Sequence, residues 1–144
     1  MEFQLANFKG KVDEVIGKQI SYLKVLGENK EACFIPIIFW LKTADNKCHR
    51  FFIDAWMLHW AEYSITEMEE LIDEDLEEHD SFVVHDLMSS FDLKDKMIDN
   101  VEMNYIKLSE QLVGKLLIEI ANKGTIEILD YGDKKEQELK IKIG

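Results

Sequence analysis

Two His-Asp dipeptides, His79-Asp80 and His85-Asp86, are the side chains of this sequence best suited to chemistry. Imidazole and carboxylate together hold divalent metals that activate water, and His59 and Asp99 are available as an earlier and a later ligand. Neighbouring patterns fail on spacing. Asp73, Asp75, Glu77 and His79 alternate like a calcium loop, but Glu78 stands where glycine must turn the chain and Val84 where the bidentate glutamate belongs. His59 and Glu62 share a face at helical spacing without the second histidine of a zinc helix. Gly10, Gly17, Gly27, Gly114, Gly124 and Gly132 are scattered, and Val113-Gly114-Lys115-Leu116 lacks a preceding glycine and a Ser or Thr, which excludes a phosphate-cradling loop. No nucleophile elbow occurs, and Cys33 and Cys48, which form no CxxC pair, read as buried reduced thiols.

The His-Asp pairs resemble those of metal-dependent phosphohydrolases. That resemblance implies an all-helical bundle with a metal held by His79, Asp80, His85 and Asp86 and by His59 and Asp99, whereas the chain ends in a pattern typical of a β-hairpin. The expectation is therefore isolated surface histidines, no catalytic residue, no metal and no cofactor, with the hydrolase as the competing reading.

Charge is the stronger signal. Seventeen Lys and Arg against 29 Asp and Glu give −12. Between Phe51 and Leu93 there is no Lys or Arg, while 13 acids fall there, so the other 16 acids and all 17 bases leave the rest of the chain near neutrality. A field of this sign repels nucleic-acid phosphates and anionic lipid and attracts cationic protein surfaces. Neither nucleic acid nor membrane is an expected partner. The longest apolar run, Phe34 to Leu41, is far short of the roughly 20 residues of a membrane helix, and Met1-Glu2-Phe3-Gln4 lacks the basic, apolar start of a secretory signal, so a cytoplasmic location is expected.

Hydrophobic period predicts the elements that must position these residues. Leu5, Phe8, Val12, Val15, Ile16, Ile20, Leu23 and Leu26 recur on one face at helical spacing and predict an N-terminal helix stopped by Gly27. Ala32 to Leu41, with Pro36 at an edge or bulge, and Cys48 to Asp54 predict a hairpin turned at Ala44-Asp45-Asn46-Lys47. The stretch from Asp54 to Tyr63 fits both periods. Ser64 and Glu67 form a capping box for an acidic helix whose apolar stripe is Ile65, Met68, Ile72 and Leu76. Asp80 and Ser81 can cap another helix through Val83, Val84, Leu87, Met88 and Phe91, and Val101, Met103 and Tyr105 alternate as a strand toward Leu108. Ser109 caps a C-terminal helix carrying Leu112, Val113, Leu116, Leu117 and Ile120 to Gly124, and Thr125 to Tyr131 with Leu139 to Ile143 make a last hairpin. The grouping predicts an α+β fold of one domain over residues 1–144. In it an antiparallel sheet of about five strands carries the N-terminal, central acidic and C-terminal helices.

Trp40, Trp56, Trp60 and Tyr63 precede the acidic helix. At least two are expected in the core, because large aromatics supply much of a small domain's buried area, while one or two can flank the acidic face as anchors, a common composition for a protein-binding hot spot. No bases are interleaved to make a stacking platform for nucleic acid. Chain size, the acidic block from Glu67 to Asp80 and the nearby Trp56, Trp60 and Tyr63 resemble, at the level of class, the immunity proteins of bacterial polymorphic toxins, including contact-dependent growth inhibition. The resemblance implies a non-enzymatic module that binds a cognate toxin domain, often a basic nuclease whose cationic cleft is blocked by carboxylates standing in for phosphates. The expected binding residues are Trp60, Tyr63, Glu67, Glu70, Asp73, Glu74, Glu77, Glu78 and Asp80. A DNA mimic or other regulatory protein of phage or host is the third reading.

Overall fold

A computed structural model of the chain describes residues 6–8, 14–132 and 134–143. It is mostly β, 60% strand against 16% helix, which overturns the expected helix-rich α+β fold with three helices on one sheet. Among the described residues the order is β1 (Ala6–Phe8), β2 (Ile20–Lys30), β3 (Cys33–Thr43), β4 (Cys48–Asp54), β5 (Met57–Tyr63), α1 (Ile65–Glu78), β6 (Phe82–Asp86), α2 (Leu87–Phe91), β7 (Ile98–Leu108), β8 (Gln111–Ile120), β9 (Gly124–Asp130) and β10 (Glu138–Ile143). Six strands form one sheet in the order β1-β5-β4-β3-β2-β6, and four form a second, β10-β9-β8-β7. Pairing is antiparallel except between β1 and β5. The facing sides of the sheets share one core, with Phe39, Phe51 and Trp60 from the first meeting Leu116, Ile118 and Ile128 from the second. α1 covers the opposite face of the six-stranded sheet, where Met68 packs with Leu26, Ile38 and Trp40. Neither helix is long and apolar enough to cross a membrane.

The acidic helix, the β3–β4 hairpin and the terminal hairpin form where hydrophobic period and turn residues predict them. The N-terminal helix does not: β2 occupies its second half, and Leu5 and Val12 lie outside the described residues. A sheet covered on both faces needs apolar side chains at successive positions. Val25 enters the core between the sheets and Leu26 the layer beneath α1, a run that imitates a helical stripe. Gly27 is no helix stop. The pairing moves from Leu26 opposite Ile38 to Gly27 opposite Pro36, leaving Ile37 as the extra residue of a bulge. A Cβ on Gly27 would lie 1.9 Å from the Ile35 carbonyl oxygen.

The C-terminal helix is likewise absent, because Leu116, Ile118 and Ile120 alternate into the core along β8. Ser109 caps nothing; with Glu110 it forms a tight two-residue turn at φ 50° and 66°. The helix expected from Asp80 divides into strand β6 and the short α2, whose N-cap is Asp86, accepting from the Met88 N–H at 3.0 Å. Both cysteines are free, Cys48 buried but Cys33 exposed at the start of β3.

Two clamps join the sheets at opposite ends. At one, the Gly17 N–H donates to the Ile98 carbonyl at 2.8 Å and the Ile20 N–H to the Lys96 carbonyl at 2.8 Å. At the other, Asp130 sits fully buried at the end of β9 and accepts from the Trp56 N–H at 2.7 Å and the Gly132 N–H at 2.9 Å. Burial still pushes its carboxyl above the usual range, outweighing the two hydrogen bonds that favour the charge. Removing that acceptor leaves buried donors unpaired, at about 1–3 kcal/mol each. Asp130→Ala is therefore expected to lower unfolding free energy by about 2 kcal/mol or more, and Asp130→Asn, which keeps an oxygen acceptor, by less. Gly27→Ala should cost about 1–3 kcal/mol by overpacking. Urea denaturation of the three variants checks both statements, and wild-type midpoints throughout would remove the clamp from the stability argument.

Candidate functional site

Local sequence builds α1 firmly at its start. Ser64 Oγ accepts from the Glu67 N–H at 3.2 Å, and Glu67 Oε1 accepts from the Ser64 N–H at 2.9 Å, so both halves of the capping box are made. The Ser64 backbone N–H holds the Glu67 carboxyl below its usual range. The buried stripe differs from the expected one by a single step. Met68 is buried and Leu71 and Ile72 half-buried, but the next inward position is Asp75 rather than Leu76. Asp75 Oδ2 lies 3.9 Å from Arg50 Nη2 on β4, tying helix to sheet, yet among the described residues neither Arg50 Nε nor Asp75 Oδ2 has a hydrogen-bond partner. Burial pushes the Asp75 carboxyl up in spite of the guanidinium. Leu76 is displaced outward and is 37% exposed.

The outward side of α1 is a bank of carboxylates. Glu67, Glu69, Glu70, Asp73, Glu74, Glu77 and Glu78 are exposed, as is Asp80 in the turn that follows. Among the described residues no salt bridge reaches any of them. The acids expected to bind thus stand together. The aromatics do not join them. Trp60 is 2% exposed on the face away from α1, packs against Phe51 and donates its indole N–H to His49 Nδ1 at 3.1 Å. Tyr63 is half-buried beneath α1, edge-on to Trp40. The exposed apolar residue among the carboxylates is Leu76, which the helical pattern had assigned to the core; only Arg50, distant in sequence, reveals why Asp75 takes the inward position.

The His-Asp dipeptides are occupied in packing and capping. His79 ends α1 and stacks on Phe82 at 4.5 Å, His85 meets Phe34 edge-on at 4.4 Å, and Asp86 caps α2. Among the described residues no three His, Cys, Asp or Glu side chains converge on a metal-sized site. His49 overturns the expectation of surface histidines: it is fully buried, with Nδ1 taken by Trp60 and Nε2 without a partner among the described residues. Burial lowers its pKa, against the pull of Glu14 and Asp45. Close by, burial and a shared hydrogen bond with Glu14 raise Glu62.

No family model, curated protein or solved structure matches this chain. Its reading rests on the geometry above.

A histidine that stays neutral when folded but takes a proton when unfolded destabilises the fold as pH falls through about 6.5, its unfolded value. Protonated His49 would also turn a second donor toward the Trp60 N–H. Unfolding free energy is expected to fall between pH 7.5 and 5.5, with His49→Phe less stable throughout and showing a shallower slope; parallel slopes in the two proteins would assign the pH dependence elsewhere. As a core side chain, Trp60→Ala should cost about 3–5 kcal/mol in the same denaturation assay.

Proposed function

We propose that this chain is a non-enzymatic protein-binding module that captures a basic protein domain on the outward face of α1. Its partner, in this reading, is a toxin domain that it neutralises, as the immunity proteins of polymorphic toxin systems do. The supporting observation is the uncompensated bank of carboxylates on α1. The acid that faces inward, Asp75, is given Arg50, while those facing outward have no cation among the described residues. Carboxylates held on a helix present a row of negative charge that can stand in for phosphates in a cationic cleft. Such charge raises association rates and suppresses wrong partners. Leu76, exposed within the bank, supplies apolar contact that slows dissociation.

The natural partner is sought first in the adjacent reading frame, as the variable C-terminal domain of a large exported protein. With that domain purified, replacing Asp73, Glu74, Glu77 and Glu78 by Lys is expected to slow association about tenfold or more at low salt and to flatten its salt dependence. Leu76→Ser should leave association nearly unchanged and speed dissociation. Stopped-flow binding at two ionic strengths measures both, and unchanged association after the fourfold reversal sinks the reading.

A further inference from the structure

The six-stranded sheet ends at β6 in an open edge. Among the described residues β6 pairs only with β2, from Glu28 opposite Phe82 to Lys24 opposite Asp86. The Asn29 N–H donates to the Ser81 carbonyl, and antiparallel pairs alternate between bonded and non-bonded. Val83 and His85 therefore face β2 with their backbone groups, and Val84 and the Asp86 N–H turn to the free side, while the Asp86 carbonyl accepts from the Ser89 and Ser90 hydroxyls of α2. The Phe82 N–H is already taken by the His79 carbonyl at 2.9 Å.

Open edges are normally guarded by lysine, proline or a bulge. β10, the edge of the other sheet, carries Lys140 and Lys142. β6 reads Phe-Val-Val-His-Asp, with no lysine, arginine or proline, and its pairing with β2 runs without a register shift. Acids flank it instead: Glu77, Glu78 and Asp80 before it and Asp86 at its end, none of them in a salt bridge among the described residues. Such flanks repel a second copy of the same edge and attract a strand of opposite charge.

We propose that β6 is a docking edge that adds an extended, lysine- or arginine-bearing segment of a basic protein partner as a further strand of the six-stranded sheet. The inference rests on the acidic-face reading and specifies how the partner engages: main-chain bonds to Val84 and to the Asp86 N–H supply alignment, and the acids at either end of β6 select the cationic strand.

A synthetic nonapeptide alternating lysine and valine is the probe, with a glutamate-valine peptide and a backbone N-methylated lysine-valine peptide as controls. The lysine peptide is expected to bind at low salt and to slow hydrogen exchange of the Val84 and Asp86 amides about tenfold or more. The glutamate peptide should do neither, and N-methylation should abolish the protection. Failure of the lysine peptide to bind, binding without protection, or equal protection by the N-methylated peptide overturns edge docking. Each of those results leaves the acidic-face reading standing, because that reading is decided separately by the charge-reversal kinetics on the partner domain.

Discussion

A carboxylate buried between two sheets must find donors or lose its charge, and Asp130 finds them on both sides. One is the Trp56 N–H in the β4–β5 turn, the other the Gly132 N–H just beyond β9. Once that bond is made, the remaining polar groups of Trp56 also go to the four-stranded sheet: its indole N–H to the Leu112 carbonyl at 3.0 Å, and its carbonyl to the Tyr105 hydroxyl. The indole then occupies the space where residue 132 would carry a side chain. A Cβ there would lie 2.1 Å from the ring, and φ is +67°, so glycine is required twice over. Gln137, buried beside this end, donates to Asp54 Oδ1 at 2.8 Å and fastens the approach to β10 to the same β4–β5 corner.

With its inner face fixed in this way, the six-stranded sheet becomes the platform on which α1 lies. Among the described residues the lysines that form salt bridges form them elsewhere: Lys18 with Asp45, Lys47 with Glu62, Lys115 with Glu102, Lys30 with Glu136 and Lys135 with Glu138. Among the described residues Arg50 alone forms a salt bridge with α1, and it reaches the inward acid. Separation of charge along the sequence becomes separation in space on α1, because the helix that links β5 to β6 carries no Lys or Arg and its outward acids meet no cation among the described residues.

Legibility in the sequence followed the number of faces each element buries. α1 buries one, so its stripe and capping box were readable, and β9 and β10 alternate clearly. β2 lies in a sheet covered on both sides, and its apolar run matched a helix as well as a strand. Turn chemistry concealed the rest. Glu31-Ala32, Ala55-Trp56 and Ser109-Glu110 all hold positive φ with neither glycine nor asparagine, against a steric cost of about 1–2 kcal/mol per residue, so no turn signal marked the boundaries of β2, β5 or β8. The acids of the candidate site were legible because their surplus is local in sequence. Which of the aromatics are core was not, since it depends on strand parity in a stretch whose period was ambiguous, and the exchange of Asp75 for Leu76 depends on an arginine brought in by β4.

The acidic face also works against the helix that carries it. Glu69, Asp73 and Glu77 repeat at every fourth residue, as do Glu70, Glu74 and Glu78, and each like-charged pair of that spacing destabilises an exposed helix by about 0.2–0.5 kcal/mol. The last turn has no base to complement the negative end of the helix dipole, and Glu77 and Glu78 add to it. α1 is therefore held by Met68 and its half-buried neighbours against the sheet rather than by its own sequence. A cation docked on its outward side relieves these repulsions, so binding there and the stability of α1 are linked: whatever free energy the cation recovers from the helix is added to its affinity.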